Sequence, residues 1–307
     1  MPDKQILERL TTYRELGMPA VEGWFDGESA EVIAALLMIH EDTGVHGNVA
    51  EIGVHHGKSF LLLANGIRDD ERAIALDVFG DQAKNVDRSG LGDRDRFEAN
   101  IVSWAAHARV EILQQSSLEV DPAEAPAVFG RVRLFSIDGG HTAEITRHDL
   151  RLAEAALVED GVVVLDDVFN PHWLGVISGL VDYLDGDAGL VPFAFSSNKL
   201  YLAGSAASAV HYATALRNEL PDLLGKKQVE FLGGEIDIYG QGSRRRRKAA
   251  AARPAPPDPK AVVRLEHELA AARRRVAELT SSRSWRVTAS LRAGSRLAGR
   301  VRRRRTG

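Results

Sequence analysis

Glu51-Ile52-Gly53-Val54-His55-His56-Gly57-Lys58-Ser59 follows directly on the apolar pair Val49-Ala50 and leads into Phe60-Leu61-Leu62-Leu63-Ala64. Gly53 and Gly57 frame a turn in which backbone can approach a ligand closely, and the helix expected after it opens with unpaired N–H groups. The stretch therefore reads as strand, turn, helix. Three further apolar runs also end in acids: residues 73–77 (AIALD), 132–138 (VRLFSID) and 162–167 (VVVLDD). Short runs rich in Val and Ile, separated by helix-length stretches, are the mark of buried parallel strands. The expected fold is α/β: a doubly wound, mostly parallel, seven-stranded Rossmann-like sheet. In such sheets ligands bind outside the carboxyl ends of the strands. Glu51, Asp77, Asp138, Asp166 and Asp167 are thus expected on one rim, a costly arrangement unless something cationic or hydroxyl-rich binds there.

A glycine-rich turn alone is weak evidence, and a dinucleotide site is one reading of it. The pattern is not G-x-G-x-x-G, however, because His56 precedes Gly57 where that motif closes. Asp77 lies twenty residues past Gly57 at the end of the next strand, a placement suited to ribose hydroxyls. Glu51 would repel a pyrophosphate but suits a positively charged group. A cofactor with a ribose and a cationic end is favoured over a dinucleotide.

E-I-G-x-x-x-G-K-S, A-L-D, I-D-G-x-H and L-D-D, in this order and spacing, resemble the class I S-adenosylmethionine-dependent methyltransferases. Within that superfamily they are most similar to the metal-dependent O-methyltransferases, both the catechol O-methyltransferase type and the bacterial sugar O-methyltransferases of antibiotic and cell-surface glycan pathways. The resemblance covers residues 28–205. It implies that Glu51, Gly53, Gly57 and Ser59 line the methionine end of S-adenosylmethionine, with Ser59 near its carboxylate. Asp77 would accept from the ribose, and Ser116 and Ser117 would lie beside the adenine. Asp138, Asp166 and Asp167 match the metal ligands. His141 stands where catechol-type relatives place a lysine base, a departure that still leaves a competent base near neutral pH. His141 and Asp138 are the catalytic candidates.

Simple electrostatics also favours a metal. Adjacent Asp166 and Asp167 beside Asp138 would raise one another's pKa without a counter-ion, and hard oxygen ligands in an open site suit Mg²⁺ or Mn²⁺. The bland alternative is that Asp166 caps the Asn170-Pro171 turn and Asp167 is solvated. Other residues read more plainly. One of His55 and His56 is expected to touch ligand. His148 is expected on the surface of a helix spanning 142–159. Trp104 and Trp173 are expected in core or lid packing, and Lys199 is expected to be solvated in a turn. The polar segment from Phe79 to Asn100 reads as a long loop beside the site.

The 307 residues suffice for one large core and an appendage, and zero cysteines exclude disulfides and thiol catalysis. The N-terminus lacks an apolar leader, and no apolar run reaches membrane-spanning length. A cytoplasmic protein, with possible peripheral contact at the inner face of the membrane, is expected.

The formal net charge of −4 conceals a division. Residues 242–307 hold 20 Lys and Arg against 4 Asp and Glu, a net of +16, which leaves −20 on the remainder. A catalytic domain is expected over 1–241, an Arg/Ala/Pro-rich linker over 242–260, and a short coiled coil with a basic tail over 261–307. Val262, Leu265, Leu269, Ala272, Val276 and Leu279 form a heptad seam too short to be stable alone. S-W-R-V-T-x-x-L-R, from Ser284 to Arg292, resembles C-terminal appendages of bacterial glycosyltransferases and sugar-modifying enzymes. That resemblance points to a sugar hydroxyl as acceptor. The short seam itself calls for a partner helix, from a second copy in a homo-oligomer or from a glycosyltransferase. The basic end suits an anionic membrane surface. Nucleic acid is disfavoured, because stacking aromatics are nearly absent. Two rival readings are other small-molecule chemistry on the same fold, such as hydroxylation, and a non-catalytic cofactor-binding scaffold that recruits glycosyltransferases.

Overall fold

The computed structural model describes residues 4–240. The linker, the heptad seam and the basic tail expected beyond them lie outside the described residues.

In chain order the elements begin with α1 (Lys4–Thr12), a π-helical turn (Tyr13–Gly17), α2 (Met18–Ala20) and α3 (Gly27–Thr43). They continue with β1 (Asn48–Ile52), α4 (Phe60–Asn65), β2 (Ala73–Asp77), α5 (Arg94–Trp104) and β3 (Val110–Gln114). Next come α6 (Ala125–Phe129), β4 (Val132–Ile137), α7 (Ala143–Ala156), β5 (Leu157–Leu165) and α8 (Leu174–Leu184). The last are β6 (Val191–Ser196), β7 (Lys199–Ala203), α9 (Ala206–Glu219), β8 (Leu224–Phe231) and β9 (Gly234–Tyr239).

All nine described strands join one sheet in the order β3-β2-β1-β4-β5-β7-β6-β9-β8. β1 to β5 are mutually parallel, and β7 runs antiparallel to both β5 and β6. The expected seven strands form the body of this sheet. The β8–β9 hairpin adds two more by pairing β9 parallel to β6. The run 224–231 carries the exposed residues Lys226, Lys227, Gln228 and Glu230, and so lacks the apolar character by which the other strands are read.

Side chains alternate between two cores, as the strand period requires. Val162 and Val164 pack on the face covered by α1, α3, α4 and α9, whereas Val163 and Leu165 pack on the face covered by α6, α7 and α8. This is the doubly wound arrangement. α3 is started by Asp26, whose carboxylate accepts from Glu28 N and Ser29 N at 2.9 and 2.8 Å, and it ends at Gly44 in the left-handed region. Of the expected loop over 79–100, only the part up to Asp93 is loop. Asp93 accepts from Arg96 N and opens α5, which inserts Phe97 into the core. The helix expected over 142–159 stops at Ala156, and the chain enters β5 at Leu157.

Gly53 sits at φ 82°, and a side chain there would bring a Cβ within 1.8 Å of the Asp138 carbonyl oxygen. Only glycine lets the turn after β1 pass this close to the end of β4, and that approach sets the floor of the site.

Candidate active site

The turns after β1, β2, β3, β4 and β5 open into one cavity of about 650 Å³. Gly53, Ser59, Asp77, Ser116 and Ser117 line it, as do Asp138, His141, Asp166 and Asp167. The rim expected from the strand ends is therefore a single chamber, with the ribose and adenine candidates at one end and the acid cluster at the other.

Two cofactor candidates do not reach the chamber surface. Glu51 is fully buried in β1, in register with Ser136 of β4, whose hydroxyl donates to its Oε1 at 2.8 Å. Strand alternation turns Glu51 into the sheet-helix layer, and Gly53 presents backbone to the cavity instead. Burial pushes the Glu51 carboxyl up to about 7, against the opposing influence of Lys199, Ser136 and Ser59. Gly57, at φ 91°, packs against the Phe97 ring rather than the cavity. Asp77 is at the surface but already occupied: Oδ2 accepts from His55 N at 2.8 Å and Oδ1 from Phe79 N at 2.6 Å. Each carboxylate oxygen keeps a further lone pair for a ribose hydroxyl. Ser116 caps the turn Ser117–Glu119 and faces the chamber with Ser117. Of the histidine pair, His55 lines the cavity, with Trp24 beside it at 5.3 Å, and His56 is buried.

At the acid end, the three expected metal ligands are not all brought into one cluster. Asp166 is drawn to Lys199, whose ammonium donates to Asp166 Oδ2. Lys199 is 3% exposed, not solvated, because β7 places it under the ends of β4 and β5. The ligand atoms that share one space belong to Asp138, His141 and Asp167, all within 4.8 Å of one another. His141 Nε2 lies 3.2 Å from Asp167 Oδ2 and 3.9 Å from Asp138 Oδ1. Asp167 is fixed further by Asn170 Nδ2 at 3.0 Å and by Asn198. Trp173 stacks flat on the His141 ring at 4.3 Å while packing against the core on its other contacts, so it links the site to the core. Trp104 packs edge-on against the buried Tyr13. His148 is partly buried beside Asp149.

The charges set the protonation pattern. Burial disfavours the imidazolium, but hydrogen bonds to Asp167 and Asp87 and the nearby Asp138 outweigh it and raise His141 to about 9. Asp138 is raised well above the ordinary carboxylate range, first by burial and then by Asp166. Burial raises Asp167, but its hydrogen bonds to His141 and Asn170 outweigh that and leave it lowered.

Sequence reasoning missed two participants. Lys199 carried a signal: a lone lysine at the head of the apolar strand K-L-Y-L-A is expensive unless an acid meets it. Asp87, which accepts from His141, carried none, because it lies in a polar loop far from the motifs in sequence.

Residues 50–168 match the family model described as a methyltransferase domain. No curated protein matches the chain. Among solved structures, the O-methyltransferase NovP aligns at 16% identity and a TM-score of 0.45, covering 57% of this chain and 79% of that one. CalS11, a TDP-rhamnose 3'-O-methyltransferase of calicheamicin biosynthesis, aligns at 17% and 0.44, covering 66% and 94%. TomG from Streptomyces achromogenes, solved with S-adenosylmethionine, aligns at 16% and 0.42, covering 66% and 90%. Likeness at this level says nothing of substrate. Over residues 50–168, then, the chain is similar to a methyltransferase domain, and most of the strand-end cavity is lined by that part of it.

Proposed function

We propose that this protein transfers a methyl group from S-adenosylmethionine to a hydroxyl oxygen of a sugar, in a cell-surface glycan or a glycosylated metabolite, with a divalent metal ion assisting. The observation that carries the reading is the shared cavity. Gly53, Asp77 and Ser116 line the chamber that Asp138, His141 and Asp167 also line. A methyl donor held by the first group would present its sulfonium toward the second.

The donor set fits a divalent ion. One imidazole nitrogen and two carboxylate oxygens face a common space, and the clustered carboxylates favour a cation there. Asp138, Asp167 and His141 Nε2 would hold the ion, which when bound would fix the acceptor oxygen and lower its pKa. Asp166 is instead neutralised by Lys199.

In the transfer, the acceptor oxygen attacks the methyl carbon, the carbon–sulfur bond breaks, and S-adenosylhomocysteine leaves as the acceptor proton passes to the protein. Asp138, which lines the same chamber, is the catalytic candidate to take that proton. His141, aimed by the bond its Nδ1–H donates to Asp87, would present Nε2 to the ion in place of the proton it shares with Asp167 when no ion is bound. Trp173 and Asn170 wall the acceptor end. The sugar preference rests on the likeness of Ser284–Arg292 to the tails of sugar-modifying enzymes.

The test is methyl transfer to a panel of nucleotide sugars and glycans, with Mg²⁺, with Mn²⁺ and with EDTA. Turnover on a sugar that EDTA abolishes is the expected result. Tight S-adenosylhomocysteine binding with no transfer to any hydroxyl acceptor would favour a scaffold instead.

A further inference from the structure

The segment between β2 and α5, residues 78–93, runs along the outer side of the cavity. Gln82, Lys84, Asn85, Val86, Ser89 and Gly90 all line the chamber. Most of its internal bonds are short-range, such as Asn85 Nδ2 to Ser89 O at 2.6 Å. It has two ties to the opposite wall. One is the ion pair Lys84 to Glu119 at 2.6 Å, which is exposed and therefore weak. The other is Asp87.

Asp87 Oδ2 accepts from both the backbone N–H and the ring Nδ1 of His141, each at 2.6 Å, across 54 residues of sequence. Both side chains are less than 10% exposed, so this pair of hydrogen bonds is shielded from water. Asp87 Oδ1 meanwhile accepts from Ser89 N at 2.9 Å, and Arg88 between them sits at φ 59°. A non-glycine residue held in that region needs support from its surroundings, and here the carboxylate supplies it. One side chain therefore shapes the tip of the segment and ties it to a residue at the acid end of the site.

We propose that Asp87 is a latch and positioning residue: it fastens the 78–93 wall to His141, so the cofactor is admitted and released only when this bond opens, and His141 is oriented only when the wall is closed. The proposal rests on the reading of the chamber as the cofactor site. The bond donated from Nδ1 leaves Nε2 as the only ring atom facing Asp138 and Asp167. The Trp173 ring, stacked on the imidazole, removes the remaining freedom of rotation. Closing the wall and aiming the imidazole are thus one event.

The test uses amide hydrogen exchange on the full chain, without ligand and with saturating S-adenosylhomocysteine. In Asp87→Ala, amides of residues 80–92 and the His141 N–H should exchange at least tenfold faster than in the wild type, with the thermal midpoint unchanged. S-adenosylhomocysteine should dissociate at least tenfold faster. His141→Ala keeps the backbone bond and should loosen the segment less, and the double variant should be no looser than Asp87→Ala. A low-field, slowly exchanging imidazole proton of His141 should be visible in the wild type and lost in Asp87→Ala. Asp87→Asn, which fills the same space with one acceptor oxygen, should be intermediate and covers the case in which the alanine variant misfolds. Equal exchange in all variants, or additive effects of the two substitutions, overturns the latch. Failure of the wild type to bind S-adenosylhomocysteine would instead overturn the cofactor reading, while the ligand-free arm still decides the latch.

Discussion

The ammonium of Lys199 donates to Asp166 Oδ2 at the end of β5, and this pair gives two adjacent aspartates different partners. Asp166 belongs to a buried ion pair, whereas Asp167 belongs to the His141 cluster. Removing one partner of a buried pair strands the other, at a cost of roughly 3–5 kcal/mol. Asp166→Asn and Lys199→Met should each lower stability by about that amount in urea unfolding of the metal-free protein. Unchanged unfolding midpoints would show that the pair is not formed in solution.

The same division predicts how metal affinity responds. Asp138→Asn, Asp167→Asn and His141→Ala should each weaken Mn²⁺ binding by tenfold or more in calorimetry, since each removes a donor. Lys199→Met should strengthen it, because a competing cation is gone. Equal losses from Asp166→Asn and Asp167→Asn would restore the three-aspartate site expected from sequence.

Asp77 ties the cofactor end to the turn after β1. Its replacement by alanine removes acceptors for ribose hydroxyls and for two backbone N–H groups, so S-adenosylhomocysteine binding should weaken by about 1.5–3 kcal/mol. Asp77→Asn keeps one acceptor oxygen and should lose less. Calorimetry with S-adenosylhomocysteine reads both, and an unaltered Kd in Asp77→Ala would remove Asp77 from the cofactor site.

Most of the frame was legible in the sequence because strand-end acids mark where an apolar run stops. Asp77 ends β2, and Asp138 and Asp166 immediately follow β4 and β5. Direction was not legible. Glu51 shares the strand-end pattern, yet the pleat turns it away from the cavity into a layer where Ser136 meets it. Lys199 looked like a turn residue because its partner lies 33 residues earlier, and a single chain of letters does not show that β7 pairs with β5. Asp87 was invisible for a related reason: the bond to His141 spans a loop that carries no periodicity.

Glu51 makes stability depend on pH. Its carboxyl is held at about 7 in the folded protein, against 4.5 for an ordinary glutamate, so the fold favours the protonated form. The folded state binds this proton more tightly than the unfolded chain, so its contribution is most favourable below pH 4.5. It is lost as pH rises through 7, to a total of roughly 3 kcal/mol. Glu51→Gln cannot ionise. Its stability relative to wild type should therefore rise between pH 5 and 8, as read from urea midpoints across that range. Parallel curves for the two proteins would mean that Glu51 is ionised throughout, with Lys199 as its counter-charge.

The last prediction concerns residues 242–307. The described residues close their own core: Tyr239 of β9, one residue from their end, is 1% exposed, and β9 is paired on both sides. No described helix is long and apolar enough to cross a membrane. A chain shortened to residues 1–241 should therefore keep its thermal midpoint and its S-adenosylhomocysteine affinity. Shortening removes a net charge of +16 and leaves one of −20. Each basic residue close to an anionic leaflet contributes roughly 1 kcal/mol, less as salt rises. The full chain should sediment with phosphatidylserine-containing vesicles at low salt and be released at high salt, and the shortened chain should not sediment at all. The heptad seam from Val262 to Leu279 adds a second readout, since self-association should vanish with it. A shortened chain that unfolds or loses cofactor affinity would place the domain boundary further along the sequence. A full chain that neither sediments nor associates would leave the basic segment without a surface partner.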